Sequence, residues 1–303
     1  MDQHQGVSVI DDIEKVIANK VNKQSKAKKV CIFNYGVSSV AANAVSSFVY
    51  ANSDFYLTTS SSFSVPSWID ASTDVIIMSY SGDSPEVENT YLLLKERGSR
   101  IHCITSGGKL KELADRNSDE SFLLPENIDP LDAVGYEIGY LINLFESLGA
   151  VGIRDEAVSM LPRLRQYSID IRGSKVNKLA ARIVTKVPVF YALGESKAIA
   201  ERWMLGVNGT LGRLAFMGEF PEFDHNEIVS WTTDAASSEF VIVMISTKSS
   251  DKMLNHIMDT AITLISEMDL DVQVVEIEGN TLENNLRGIL LADAVVDVIE
   301  GWF

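Results

Sequence analysis

From one end of this chain to the other, short runs of β-branched and aromatic residues alternate with longer stretches whose apolar positions recur at three and four residues. A strand pattern that keeps giving way to a helix pattern buries both apolar sets when the strands form a parallel sheet with helices on its faces. In the first half the strand-like runs are KKVCIFN (strand at 29–34), DFYLT (54–58), TDVIIMSY (73–80), SRIHCIT (99–105) and SFLLP (121–125). Between them VSSVAANAVSSFVYA, PEVENTYLLLKERG and GGKLKELADRN have helical spacing, and a long apolar helix is expected near 131–148. PEVENTYLLLKERG carries Pro85 just inside its start and Gly98 at its end, the usual asymmetry of helix termini.

The second half repeats the plan. A helical segment (155–184) leads to KVPVFYALG (186–194), GRLAFMGEF (212–220), EFVIVMIS (239–246) and DVQVVEIEG (271–279), with helices near 195–207, 250–267 and 282–299. KKVCIFNYGVSSVAANAV and TKVPVFYALGESKAIAERW resemble each other as strand, turn and helix half a chain apart. The pattern predicts a duplicated α/β domain, 1–152 and 153–303, divided at the charged stretch Arg154 to Glu156, with a doubly wound, flavodoxin-like parallel sheet of five strands in each half.

A formal net charge of -16 and a pI near 4.7 argue against nucleic acid or an anionic membrane as partner, since both would be repelled. No stretch reaches the ~20 apolar residues of a spanning helix. The first thirty residues mix both signs of charge and lack an apolar signal core, so a cytoplasmic protein is expected. Cys31 and Cys103 lie in strand-like runs without metal or redox spacing and read as core residues. Four scattered histidines make no ligand cluster, and neither metal nor cofactor is called for.

In an open parallel sheet, ligands bind beyond the carboxyl ends of the strands, where the strand order reverses. Two first-half strands end in hydroxyl-rich turns that open helices, NYGVSS (34–39) and SYSGDS (79–84), and TSGG (105–108) follows the next strand. Backbone amides at a helix start favour an anion, and Ser38, Ser79, Ser81 and Ser84 add neutral donors for phosphate oxygens. The simpler alternative is a helix cap at Asp83 or Ser84, with Glu86 in the first turn. There is no G-x-x-x-x-G-K-S/T loop and no G-x-G-x-x-G after a strand.

SYSGDS, then ITSGGKLKELA, then DPLDAVGY (129–136), RWM (202–204) and EFPEFDHNEIVSW (219–231) occur in this order. Together they resemble the sugar isomerase (SIS) fold and specifically the bifunctional phosphoglucose/phosphomannose isomerase family, with its P-E-x-x-H-N-E-I-x-x-W signature. The resemblance implies two tandem SIS domains, a homodimer with its site at the subunit interface, and a phosphorylated sugar as ligand. It places Gly36, Ser38, Ser79, Ser81 and Ser84 on the phosphate-binding positions and His225 on the ring-opening histidine, which in that family reaches into the neighbouring subunit's site. Aldose–ketose isomerisation needs a base at the carbon beside the carbonyl and donors for the enediolate, and no metal.

The chain departs from the family where that chemistry lies. Gly209, in VNGTLGR, stands where the family has its carboxylate base, and Leu131, in DPL, stands where it has an arginine. RWMLG replaces R-W-K-x-Q, and NYGVSS replaces a turn richer in glycine. Glu201, Glu219 and Glu222 are the nearby carboxylates, of which Glu219 is taken as the replacement base. Two readings follow: an isomerase with a displaced base, or a phosphosugar sensor or regulatory partner without catalysis. On spacing alone, DHNE (224–227) is equally a capping box with Asp224 as cap and Glu227 three residues on.

Overall fold

All six residues of the strand Thr73–Met78 are buried, which requires cover on both faces of its sheet. The computed structural model supplies that cover; it describes residues 5–19, 26–248, 251–268 and 270–303. The first half runs α1 (Gln5–Ile17), β1 (Lys29–Asn34), α2 (Ser39–Asn52), β2 (Tyr56–Ser60), β3 (Thr73–Met78), α3 (Pro85–Glu96), β4 (Arg100–Thr105), α4 (Gly108–Asn117), β5 (Glu120–Leu123), α5 (Val134–Leu148) and α6 (Ile153–Asp170). The second runs α7 (Ser174–Thr185), β6 (Val187–Leu193), α8 (Lys197–Leu205), β7 (Phe216–Phe220), α9 (Glu222–Asn226), α10 (Ile228–Thr233), β8 (Phe240–Thr247), α11 (Lys252–Ser266), β9 (Val272–Ile277) and α12 (Thr281–Glu300). The chain divides into a compact unit of Ser8–Leu161 and one that includes Pro162–Phe303, the division falling within α6.

In the first unit the strands are ordered β2-β1-β3-β4-β5, all parallel, so the order reverses between β1 and β3. Side chains alternate across the sheet. Cys31, Phe33, Val75, Ile77, Ile101 and Cys103 face α3 and α4 through Val87, Tyr91, Leu94, Leu110 and Leu113. On the other face α2 packs against α5. Both cysteines are buried, and desolvation pushes each thiol up to about 12, which leaves them unreactive packing groups.

The second unit repeats the order as β7-β6-β8-β9 and stops there. Five strands were expected in each half, and the second sheet has four. The physical reason is that only four β-rich runs are present there, and beyond β9 the chain goes into α12, helical to Glu300. Phe190, Ala192, Val243 and Val275 face α7, α8 and α12 through Ile183, Trp203 and Val295. Val189, Tyr191, Ile242 and Met244 face α9 and α11 through Phe223, Met258 and Ile265.

Two ionic clusters tie these layers. Across β3, β4 and β5, Arg100 grips Asp74 with Nε at 2.7 Å and Nη2 at 2.5 Å. His102 bridges the buried Asp74 (Nε2 to Oδ1, 3.5 Å) and Glu120 (Nδ1 to Oε2, 2.9 Å). Between α8 and α12, Arg202 Nε donates to Asp293 Oδ1 at 2.6 Å, both side chains being only 5% exposed.

Arg202 and Asp293 are both buried, so removing the carboxylate takes away charge compensation that the interior cannot replace with water, and Asp293→Ala is expected to lower stability by about 3 kcal/mol. The double variant Arg202→Met/Asp293→Leu should recover most of that loss, with denaturant unfolding as the measurement. For His102, burial works against the charged ring, but hydrogen bonds with Asp74 and Glu120 outweigh it and raise its pKa. With the folded value above the unfolded one, the stabilisation is complete below the ordinary imidazole range and is lost as pH rises through the elevated folded value. The stability gap between the wild type and His102→Gln should therefore be widest near about pH 6 and shrink on going to alkaline pH.

Candidate functional site

The reversal of strand order places the turns after β1 and β3 side by side at the carboxyl edge of the first sheet, joined by Tyr35 N donating to Met78 O at 3.1 Å. The 3-10 turn Gly36–Ser38 leads into α2, and the turn Pro130–Ala133 packs against it. Ser79, Ser81 and Ser84 follow β3. The structure thus gathers Gly36, Ser38, Ser79, Ser81 and Ser84 at one corner.

Their environments differ. Gly36 is exposed with φ +62° and open space around it. Ser38 is fully buried, and its hydroxyl donates to Glu137 Oε1 at 2.5 Å. Ser79 is buried and accepts from Gly82 N at 3.3 Å, whereas the exposed Ser81 accepts from Asp83 N at 3.4 Å. Ser84 occupies the cap position of α3, as the capping alternative expected, yet its hydroxyl makes no capping bond. Its Oγ is buried and has no hydrogen-bond partner in the chain.

The loop after β3 is locked to the loop after β4. Asp83 Oδ1 accepts from Lys109 N at 2.8 Å, so the chain's own carboxylate sits at the start of α4, and Leu110 N donates to Gly82 O at 2.9 Å. Gly82 (φ +68°) and Gly108 (φ +67°) are obligatory here: a Cβ on the first would lie 2.3 Å from Gly107 O, and on the second 2.2 Å from Ser81 O. At TSGG (105–108), the third such turn, Asp83 already occupies the Lys109 amide at the start of α4 that an external anion would use. Tyr80 fixes the segment after β5: its single hydroxyl proton has Pro125 O (2.9 Å) and Ile128 O (3.0 Å) within reach, and its oxygen accepts from Ile128 N at 3.2 Å. Asp83, together with Glu86 and Glu88 in the first turn of α3, makes this corner acidic.

In the second unit, Glu219 is half-buried near the end of β7, beside β6, with its carboxylate 3.8 Å from Lys197 Nζ at the start of α8. His225 is exposed on the short helix α9. The capping box expected at DHNE does not form: α9 starts after Pro221, so Asp224 lies inside it. Glu227 instead accepts from the Tyr191 hydroxyl, which in turn accepts from Trp231 Nε1 at 3.1 Å. Burial pushes the Asp224 carboxyl up despite the neighbouring His225, and Asp224 Oδ1 is buried without a hydrogen-bond partner. Gly209 is exposed in the wide turn Gly206–Thr210 after α8, and Leu131 is buried in the turn Pro130–Ala133. Among the described residues, no group of three or more His, Cys, Asp or Glu is placed to hold a metal ion. No helix of the described residues is long and apolar enough to cross a membrane.

Glu137 and Lys197 were not singled out from the sequence, and Asp83 was read there only as a candidate cap of α3. Glu137 lies within the apolar run of α5, where one carboxylate interrupting a buried face was the available signal.

Residues 173–296 match the family described as "Bacterial phospho-glucose isomerase C-terminal SIS domain". A bifunctional phosphoglucose/phosphomannose isomerase of Caldicellulosiruptor bescii is 32% identical over 215 residues, 68% of this chain and 63% of that protein. A D-glucosamine-6-phosphate 4-epimerase of Sulfolobus acidocaldarius is 32% identical over 181 residues, 59% of this chain and 58% of that protein. The chain therefore spans less than two thirds of the length of either relative. In three dimensions the C-terminal domain of glucosamine-fructose-6-phosphate aminotransferase from Francisella tularensis superposes with a TM-score of 0.70 at 12% identity, covering 98% of this chain and 95% of that one. At that identity the likeness speaks for the fold, and it extends over both sheets. The comparisons and the repeated sheet order agree: residues 173–296 match a SIS domain, and the chain is similar over about two thirds of its length to a bifunctional phosphoglucose/phosphomannose isomerase.

Proposed function

We propose that the chain binds a phosphorylated sugar at the corner between β1 and β3 and interconverts its aldose and ketose forms. The observation that carries this reading is Ser84 Oγ, a buried hydroxyl at the start of a twelve-residue helix with no acceptor or donor of its own. An orphaned buried hydroxyl costs stability, and a ligand oxygen is the natural group to meet it. Ser79, Ser81 and the turn Gly36–Ser38 stand around it, so the phosphate is held by neutral donors and helix amides.

The chemistry then falls to Glu219 as base and His225 as the group that moves the ring-oxygen proton. Proton removal beside the carbonyl leaves an enediolate that needs a cation or donors. Lys197, whose Nζ lies 3.8 Å from the Glu219 carboxylate, is a cation beside the proposed base. We further propose a homodimer in which the exposed His225 of one copy serves the site of the other. The named relatives include both an isomerase and a 4-epimerase, so amino-sugar phosphates belong among the candidate substrates.

A second reading, phosphosugar binding without catalysis, is favoured by Gly209 and Leu131, which offer no carboxylate and no guanidinium at the family's positions. The two part on one measurement. Glucose, mannose and glucosamine 6-phosphates incubated with the protein in D2O should gain deuterium at carbon 2, seen by proton NMR, and Glu219→Gln should abolish the gain. Binding without exchange for every sugar selects the second reading. For binding itself, the ligand should raise Tm by mass action, about 2.7 kcal/mol of stabilisation at a hundredfold excess over Kd. Ser84→Ala should weaken that binding by roughly fivefold to tenfold. An unchanged Tm across the sugar-phosphate panel removes both readings.

A further inference from the structure

Away from the β1–β3 corner, the first unit holds a cavity of about 470 Å³ between α1, the end of β5 and α5. That is room for a small molecule of one or two rings. Its walls are aromatic: Phe122 and Tyr140 lie in tilted contact with ring centroids 5.4 Å apart, and Tyr136 stands one turn earlier on α5. These walls are held before any ligand arrives. The Tyr140 hydroxyl donates to Leu123 O at 2.8 Å, and the Asn143 amide donates to Val16 O and Asn19 O at 2.9 Å each, tying α5 to the end of α1.

Two polar groups of the lining stand out against these rings. Asn143 is 4% exposed, and its two amide protons go to α1, which fixes which way the amide faces; its Oδ1 is left with no hydrogen-bond partner. At the rim the exposed Lys15 ammonium lies 3.3 Å from the Tyr136 hydroxyl and 5.3 Å from the centroid of that ring. Among the described residues that line the cavity, Lys15 carries a positive charge and none carries a negative one. Behind Tyr136 stands Asp12, which is hydrogen-bonded to it and whose carboxyl is pushed up by burial.

We propose that this cavity is a further small-molecule site, for an aromatic carboxylate of one or two rings that carries a hydroxyl or ring N–H remote from its acid group. The ring lies against Phe122, Tyr136 and Tyr140, the carboxylate meets Lys15, and the far donor satisfies Asn143 Oδ1. Tyr136 and Asn143 are two turns apart on α5, about 10 Å along its axis, which sets the length of the ligand. One negative charge suits the site better than a phosphate dianion, because Asp12 behind Tyr136 opposes the second. The assignment does not rest on the phosphosugar reading above.

The test is calorimetric titration of the full chain with 4-hydroxyphenylacetate and with indole-3-acetate, each beside its neutral carboxamide. At least one acid should bind with a Kd of roughly 0.1 mM, and its carboxamide about fivefold to tenfold more weakly. Phenylacetate, which lacks the remote donor, should bind about fivefold more weakly than 4-hydroxyphenylacetate. Lys15→Met keeps the side-chain stem at an exposed position and should erase the preference for acid over carboxamide. Leu123→Trp, also at an exposed position of the lining, should fill the cavity and abolish binding, with Tm reporting that the variant is folded. No binding of either acid at about 2 mM, an acid preference that survives Lys15→Met, or binding undisturbed by Leu123→Trp overturns the proposal. If Leu123→Trp does not fold, the comparison of acid with carboxamide in the wild type and in Lys15→Met decides. None of these outcomes bears on phosphosugar binding at the β1–β3 corner.

Discussion

The interlock of the loops after β3 and β4 is the constraint on which the candidate site depends. Asp83 accepts the Lys109 amide, Leu110 donates to Gly82 O, and the two left-handed glycines leave no space for a side chain. A serine loop held only by its flanking strand and helix would sample many conformations, and each ligand contact would have to offset that freedom. Here the backbone is fixed from the neighbouring strand before any ligand arrives. The serines therefore differ in what remains open to them: Ser79 and Ser81 serve their own loop, and Ser84 is left over.

The same corner shows how serine loops that contain no lysine or arginine of their own handle charge. α3 begins with Pro85 and carries Glu86 and Glu88 in its first turn, which suits the helix dipole but opposes an incoming anion. At the start of α4 the chain provides its own anion, Asp83. In the phosphosugar reading, Ser84, the Gly36–Ser38 turn and the hydroxyl protons of Ser79 and Ser81 are the donors offered to a phosphate at the strand-order reversal. Behind the Gly36–Ser38 turn lies Glu137, which accepts the Ser38 hydroxyl.

Much of the fold is legible in the sequence, because burial on both faces of a parallel sheet writes its strands as unbroken apolar runs. KVCIFN, TDVIIM and VPVFYAL are such runs and form β1, β3 and β6. Pro85 and Gly98 mark the limits of α3 correctly, the glycine adopting φ +74° beyond the last turn. α1 is less legible: Val9, Ile10, Ile13, Val16 and Ile17 have helical spacing and are buried, but charged residues of the same segment break up the apolar stripe. α9 and α10 are too short for a periodic signal, and their caps lie in tertiary contacts such as Glu227 with Tyr191. The corner itself was legible as a position, since strand order and serine content point to it. The division of labour among its serines was not, because it turns on residues distant in sequence, Glu137 for Ser38 and Lys109 for Asp83.

The four-stranded sheet has one further consequence. Ending at β9, it leaves the outer N–H and C=O groups of Val272–Ile277 without a neighbouring strand in that sheet. The exposed Glu276 in this strand puts a carboxylate at that rim, while Glu278 just beyond it pairs with Lys248 Nζ at 3.3 Å. Two molecules meeting rim to rim would bring like carboxylates together, so the shortened sheet carries its own safeguard against growing into a continuous ribbon from one copy to the next.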